Sequence, residues 1–248
     1  MAARHAVSGQ STVTPKATTG IVEAIRQLRV ARERAVKSRS TAMLQRGDVM
    51  LTAPGELREE LAALKTLTAT TARCQRLRPD STRLNDPFDA ATLALRSLAR
   101  RIALLDAEIA ELDTHLTALV ATATPRTTAR LGVSIGHAGR LRVTAGQNID
   151  RLRGDGAFAA RCGASPIPVA SGTRGRHRLN PGGDRPANRA LDMIAVCRLR
   201  YCPTTRADAD RRTTDGTTKN EIMRCLKRYI AREVFATLRE DLRSLSVP

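Results

Sequence analysis

The stretch from Leu95 to Leu119 constrains the fold more than any other, because its apolar residues alternate between spacings of three and four. The residues of this series are Leu95, Leu98, Ile102, Leu105, Ile109, Leu112, Leu116 and Leu119. The spacing is a heptad repeat, and it requires a long α-helix whose apolar seam is covered by another helix. Two arrangements meet that requirement: an antiparallel bundle with earlier helices of the same chain, and a coiled coil that joins two copies of the protein. The sequence alone favours neither.

Helices are also predicted on the N-terminal side of this seam. Residues 1–20 are small, polar and unpatterned, and we interpret them as a linker or tail. A helix is expected over residues 21–45, ended by Arg-Gly-Asp at 46–48. After a loop around Pro54 a second helix should place three leucines inward, namely Leu57, Leu61 and Leu64. The segment 79–87 begins and ends with proline and predicts a further break.

The C-terminal half shows shorter helical patterns. Residues 131–146 form a glycine-containing turn followed by an amphipathic run, which is typical of a helix-hairpin-helix. Short or medium helices are expected at 157–162, 186–200 and 218–240, with short strands near 166–180. The last helix has an apolar stripe at every fourth position, formed by Ile222, Leu226, Ile230, Val234 and Leu238.

These patterns predict a mainly α protein. A helical coiled-coil or bundle segment is followed by a small, mostly helical domain that contains the hairpin-like turn. We predict a linker at 1–20, the helical region at 21–121 and a C-terminal domain at 126–240.

The charge of the chain is strongly basic and unevenly distributed. The net formal charge is +18, and residues 126–248 carry 24 Lys and Arg against 11 Asp and Glu. Residues 1–125 carry 18 against 13. An excess of cations in one half predicts a polyanionic partner, DNA or RNA, because neutralising phosphates releases condensed counterions. Aromatic residues make up only 2% of the chain, which disfavours base stacking and favours contacts of arginine with the phosphate backbone.

Cysteine and histidine do not form a recognisable metal motif. The five cysteines include no CxxC pair, and the four histidines are scattered. We expect reduced thiols in a cytoplasmic, nucleoid-associated protein, with no metal ligands in this chain. The sequence also contains no apolar run of the length that a membrane span needs and no secretory signal.

The most basic loop of the C-terminal half surrounds Ser171. Gly172 follows this serine and allows a sharp turn that exposes the hydroxyl. Arg174, Arg176 and Arg178 alternate along the chain, so an extended backbone would direct all three toward the same phosphates.

The loop continues into a predicted helix. Gly182 and Gly183 permit the close approach of a backbone, and Arg185 lies at the helix start. The predicted nucleic-acid-binding residues are therefore Gly172, Arg174, Arg176, Arg178, Gly182, Gly183 and Arg185. A serine nucleophile needs a general base, and only His177 and Asp184 lie near in sequence. The residues alone favour a phosphate-binding loop with a non-catalytic Ser171.

Four segments of the chain resemble a known family. They are GIVEAIRQLRVARERAVKSR (20–39), RLRGDGAFAARCGASPIPVASG (151–172), RHRLNPGGDRPANRAL (176–191) and EIMRCLKRYIAREVF (221–235). They are similar to the DEDD/serine transposases of bacterial insertion sequences, the "one-ten" family of RNA-bridged recombinases. The resemblance extends over nearly the whole chain.

The resemblance implies an enzyme that cleaves and joins DNA during transposition, with Ser171 as the catalytic serine. It implies DNA and a guide RNA as partners, and self-association through the helical region. In this family Mg²⁺ is held by four acidic residues of an N-terminal RuvC-like domain. Met1 corresponds to a position after that domain, so we expect a truncated copy that is inactive alone. A non-catalytic module that binds nucleic acid, or that dimerises with and regulates a full-length transposase, is the alternative.

Four positions depart from the family pattern: Ser134, Arg142, Pro181 and Asp208. Arg142 stands where the family has an apolar residue. A charge on a core face is costly unless it reaches water, so these departures suggest relaxed constraint on the sequence.

Overall fold

The computed structural model describes Ser8 and residues 14–165, 167–171, 174–178 and 180–245, and for 168–171 and 174–178 it describes the backbone alone. The helices of these residues are α1 (Gly20–Thr52), α2 (Gly55–Ala62), α3 (Leu67–Gln75), α4 (Pro87–Ala123), α5 (Pro125–Thr128), α6 (Ile135–Ala145), α7 (Asp155–Arg161), α8 (Arg185–Tyr201), α9 (Pro203–Thr214) and α10 (Lys219–Leu245). A 3₁₀ turn covers Ile149–Arg151. Two strands, β1 (Ile167–Ser171) and β2 (Arg174–Arg178), follow α7 and precede α8 in the chain, and they pair with each other. The mainly α class predicted from the sequence is confirmed.

The chain divides into two compact units. One contains Gln27–His115, and the other contains Met1–Arg26 together with Leu116–Pro248. The division passes through α1 and α4, each of which contributes residues to both units. The functional domain boundaries expected from the sequence stay a prediction.

In the unit Gln27–His115, α1 and α4 run antiparallel and are joined by ion pairs. Arg32 donates to both carboxylate oxygens of Asp113, and Arg39 pairs with Asp106. The apolar core of this unit consists of Ala53, Leu57, Leu61, Cys74, Leu77, Leu95 and Ala99. The seam of α4 therefore closes against α2 and α3 of the same chain at its Leu95 end. Pairing of the seam between two copies stays a prediction.

The second unit is built around α10, whose predicted stripe is confirmed as its buried face. Its residues Ile222, Leu226, Ile230, Val234 and Leu238 are each at most 7% exposed. Helix α10 packs against α5, α7 and α8, and α6 packs against α8. The rings of Phe158 and Phe235 stack with centroids 5.6 Å apart. The apolar stripe of α10 thus forms the centre of this unit.

The turn predicted to be helix-hairpin-helix-like lies between α5 and α6. Gly132 adopts a φ of 83°, a conformation that side chains disfavour. Ser134 then caps α6: its Oγ accepts from the His137 N–H at 3.3 Å, and its own N–H donates to the His137 ring. Ser134 therefore has a local structural role as a helix cap.

One sequence-based expectation is wrong. Arg46-Gly47-Asp48 does not end the first helix, because α1 continues to Thr52. Arg46 is 3% exposed and donates to the Leu67 carbonyl and the Thr71 hydroxyl, so contacts with α3 hold this turn in place. Helices α3 and α9 were not predicted. No helix in the described ranges is long and apolar enough to cross a membrane.

Candidate nucleic-acid interface

The predicted serine lies at the end of a β-hairpin. β1 and β2 are antiparallel, and their register pairs Ser171 with Arg174, Val169 with Arg176 and Ile167 with Arg178. Gly172 lies outside the described residues. The backbone of β2 is extended, as the alternation of arginines requires.

This register decides which residues share a face of the hairpin. Cross-strand partners lie on the same face of a sheet, and residues two apart along a strand share that face. Ser171, Arg174, Arg176 and Arg178 therefore occupy one face. His177 pairs with Pro168 and falls on the other. The hairpin brings together the serine and the three arginines that the sequence singled out.

The exit of the hairpin is fixed by a glycine contact. A Cβ added to Gly183 would lie 2.2 Å from the amide nitrogen and 2.3 Å from the Cα of Gly163. The Asp184 N–H donates to the Arg161 carbonyl at 2.8 Å, beside this contact. At Gly182 the nearest atom to an added Cβ would be the Asn180 Oδ1, at 3.3 Å. The close backbone approach at Gly183 is thus with the chain itself, whereas Gly182 is exposed.

Asp184 caps the helix that follows. One carboxylate oxygen accepts from the Ala187 N–H at 3.1 Å, and the other accepts from the Thr144 hydroxyl at 2.8 Å. Both oxygens therefore hold the start of α8 and the end of α6. An acid engaged in this way serves the fold, and it is poorly suited to take a proton from Ser171.

Three polar residues tie α7, α8 and α10 together below the hairpin exit. Asn188 Nδ2 donates to the carbonyls of Cys162 and Gly163 at 3.0 and 2.9 Å. Asn188 Oδ1 accepts from Lys227 Nζ at 3.1 Å, and Lys227 also pairs with Asp192 at 3.3 Å. Since Lys227 is only 7% exposed, this network fixes the helix start beneath the loop.

A cavity of about 460 Å³ opens at the same place. The described residues of its lining are Gly163, Asn180, Pro181, Gly183, Arg185, Asn188, Arg189 and Asp192, of which Asp192 pairs with Lys227. Arg185 and Arg189 are exposed, and no carboxylate of the described residues forms an ion pair with either. The cavity therefore joins the N-terminal turn of α8 to two cations that are available for an anionic ligand.

The cysteines form no metal site among the described residues. All five are free. Burial, together with the Asp184 carboxylate, raises the pKa of the Cys162 thiol. Hydrogen bonds with the hydroxyls of Thr204 and Thr205 lower the pKa of Cys202 to about 7.

The described residues do not fit the divalent metal that the family resemblance implies. Among them, no group of three or more His, Cys, Asp or Glu side chains lies close enough to hold a metal ion.

The fold and the interface define a helical protein with an arginine-rich hairpin and an open helix start. Residues 130–210 match the model of the "Transposase IS116/IS110/IS902 family". The matched segment runs from the turn before α6 into α9, and it contains every predicted site residue. No curated protein matches the chain. The matched segment is thus similar to transposases of this family.

Sequence reasoning missed the contacts that hold the interface. The contact of Gly163 with Gly183 and the bonds of Asn188 and Lys227 join residues that lie far apart in the chain. The glycine pair at 182–183 indicated that another backbone approaches closely here. It did not indicate that this backbone is that of Gly163. Asp184 was noted as a nearby acid, and its position before Pro186 was the signal of a helix cap.

Proposed function

We propose that the chain acts in DNA transposition, as a DNA-binding part of a transposase that cleaves and exchanges strands. The observation that carries this proposal is the family match over 130–210, which includes the serine hairpin and the start of α8. The cationic C-terminal half supports DNA as the partner, because phosphate neutralisation supplies most of the affinity of such proteins.

In this proposal Ser171 is the nucleophile. Its oxygen attacks a DNA phosphorus, so that a Ser–O–P bond forms and the bond from phosphorus to one deoxyribose oxygen breaks. The serine proton leaves to a base, and the departing sugar oxygen gains a proton. Arg174, Arg176 and Arg178, on the same face of the hairpin, neutralise the phosphate oxygens while negative charge develops on them.

The remaining predicted residues shape the path of the DNA. Gly182 leaves room for a phosphate beside the cavity, and Gly172, outside the described residues, stays a predicted contact of the DNA. Gly183 holds the loop against Gly163, and Arg185 adds a cation at the start of α8. We assign no general base from this loop, since Asp184 caps a helix and His177 falls on the opposite face of the hairpin.

The resemblance adds three further parts to the proposal. Mg²⁺ would be held by acidic residues of a RuvC-like domain, a guide RNA would select the DNA, and copies would associate through the helical region. The half-buried residues Leu105, Ile109 and Leu112 of the α4 seam support self-association, because they leave apolar surface that a second copy can cover.

Because the chain is expected to be inactive alone, the test is a cleavage assay in which the 248-residue chain is mixed with the RuvC-like domain of a full-length transposase of this family, labelled duplex DNA and Mg²⁺. A covalent protein–DNA adduct that forms with the wild type and is lost in Ser171→Ala supports the nucleophile. Ser40→Ala is the matched control, since Ser40 is an exposed serine of α1 whose hydroxyl only donates to the Val36 carbonyl. An adduct that survives Ser171→Ala would refute this assignment.

The same assay separates the alternative function. A non-catalytic binding or regulatory module would bind DNA in a salt-dependent way, form no adduct, and be indifferent to Ser171→Ala. Inhibition of a full-length transposase of this family by the added chain would favour the regulatory form of this alternative.

A further inference from the structure

One face of α8 carries a straight row of exposed residues. They are Arg185, Arg189, Met193, Val196 and Arg200, and all are exposed. At 100° per residue these positions fall within an arc of about 80°, and at 1.5 Å per residue the row is about 22 Å long. We refer to these five residues as the α8 stripe.

The opposite face of α8 is fully packed. Ala187, Ala190, Leu191, Ile194 and Ala195 are buried, and the helix contacts α6 and α10. The stripe is therefore presented by a rigid helix whose position does not depend on a ligand. Such a helix can enter a groove without rearranging.

The arginines of the stripe form no ion pairs within the described residues, although the Arg200 guanidinium lies over the Tyr201 ring, 5.3 Å from its centroid. Arg198, on another side of the same helix, pairs with Glu233 at 2.6 Å and donates to the Leu131 carbonyl at 2.9 Å. Arg185, Arg189 and Arg200 form no ion pair with any carboxylate of the described residues. Arg185 and Arg189 are also four residues apart, a spacing at which like charges repel. A helix that keeps this repulsion has cations available for an external anion.

The centre of the stripe is apolar. Met193 and Val196 are 47% and 46% exposed, between Arg189 and Arg200. Apolar side chains flanked by cations suit a partner with charged edges and a less polar floor. The DNA major groove has this form, with phosphates along its edges and thymine methyl groups on its floor, and its width of about 12 Å admits an α-helix.

We propose that α8 docks in the major groove of duplex DNA, with Arg189 and Arg200 on phosphates and Met193 and Val196 against base edges. This inference rests on the proposed function, to which it adds a DNA-reading surface beyond the serine hairpin. Duplex RNA does not fit the stripe, because its major groove is too deep and narrow for a helix.

The experiment measures the salt dependence of binding by the full 248-residue chain to a short fluorescent DNA duplex. Arg189→Gln/Arg200→Gln is compared with Arg100→Gln/Arg101→Gln, which removes two exposed arginines of α4 that form no ion pair with the described residues. Loss of two phosphate contacts should reduce the slope of log K against log salt by about 1.8. When the salt concentration rises from about 50 to about 200 mM, the fold-loss of affinity should be about twelve times smaller for the stripe variant than for the wild type.

Two further variants separate charge from apolar contact. Arg189→Lys/Arg200→Lys keeps both charges and should retain the wild-type slope, provided that the phosphate contacts are electrostatic. Met193→Ala/Val196→Ala should leave the slope unchanged but reduce discrimination among randomised duplexes. All substitutions fall on exposed positions, so the melting temperature should stay near that of the wild type.

The outcomes are distinct. Equal slopes for the stripe variant and the α4 control overturn the α8 inference while the proposed function stands. Equal, stripe-dependent binding of duplex RNA also overturns it. A wild-type chain that binds no DNA at about 50 mM salt overturns the proposed function itself, and the α8 inference with it.

Discussion

The buried guanidinium of Arg142 offers the sharpest test of how this fold is stabilised. Arg142 lies in α6 with 0% of its surface exposed. None of its three guanidinium nitrogens has a hydrogen-bond partner among the described residues. Burial lowers the pKa of Arg142, and the field of the Asp241 carboxylate partly opposes this shift.

Asp241 does not depend on Arg142 for its own bonds. Its carboxylate accepts from the Arg126 N–H at 2.9 Å, from the Thr127 N–H at 3.2 Å and from the Thr127 hydroxyl at 2.7 Å. Replacing Arg142 by Met removes a desolvated charge, keeps a long flexible side chain and leaves these three bonds in place. Replacing buried charges by apolar residues stabilises proteins by about 1 to 4 kcal/mol where the charge is poorly compensated.

We therefore expect Arg142→Met to raise the free energy of unfolding by about 1 to 4 kcal/mol. For a chain of this size each kcal/mol corresponds to a rise in melting temperature of about 2 to 4 °C. The assay is thermal and urea unfolding of the full chain, followed by circular dichroism. Arg153→Met is the matched control: Arg153 is exposed, has no ion pair among the described residues, and should change stability by less than about 0.5 kcal/mol.

A loss of stability in Arg142→Met of more than about 1 kcal/mol would refute this reasoning, because it would mean that the guanidinium contributes more than its desolvation costs. An unchanged melting temperature in both variants would refute it as well.

Two further predictions concern the loop and the thiols. Gly183→Ala should destabilise the chain by about 3 kcal/mol or more, because the new methyl group would meet backbone atoms at 2.2 and 2.3 Å. Gly182→Ala is the control and should be tolerated. Equal melting temperatures of the two variants would contradict the close packing at Gly183. The rate at which iodoacetamide modifies Cys202 should be half-maximal at a pH of about 7, because the thiolate is the reacting form and predominates above the pKa. The buried Cys162 should stay unmodified. Peptide mass spectrometry measures both rates, and a midpoint for Cys202 near the ordinary value of 9.0 would refute the hydrogen-bonding account.

The sequence predicts the parts of the fold that rest on periodicity. The stripe of α10 and the leucines of α4 are local signals, since a helix with one apolar face must bury that face. Pro54 and the proline-bounded segment 79–87 were also readable, because proline removes a backbone donor and ends helices. These features need no knowledge of what lies across the core.

Features set by distant residues could not be read in this way. Helix α1 runs through Gly47 because Arg46 is held by α3, and that contact has no local signature. Helix α9 has no buried residue, so its sequence has no apolar stripe to detect. Its start at Pro203 was the one available signal.

The candidate site was predictable in composition but not in geometry. The arginines and Ser171 were found from charge and glycine spacing, and the hairpin register then placed them on one face. Two features depend on how α7 and α8 are arranged in the folded unit: the cap formed by Asp184 and the contact of Gly183 with Gly163. The catalytic role of Ser171 stays a proposal that the adduct assay tests.

The contact between Gly163 and Gly183 also makes the hairpin a removable module. Because the chain leaves and re-enters the helical unit at touching backbones, the residues between these glycines form a closed excursion. Replacing that excursion with a short glycine linker should preserve the helices, since shortening a loop whose ends already meet costs little closure entropy. The same junction would accept a hairpin from a related protein without redesign of the helices that carry it.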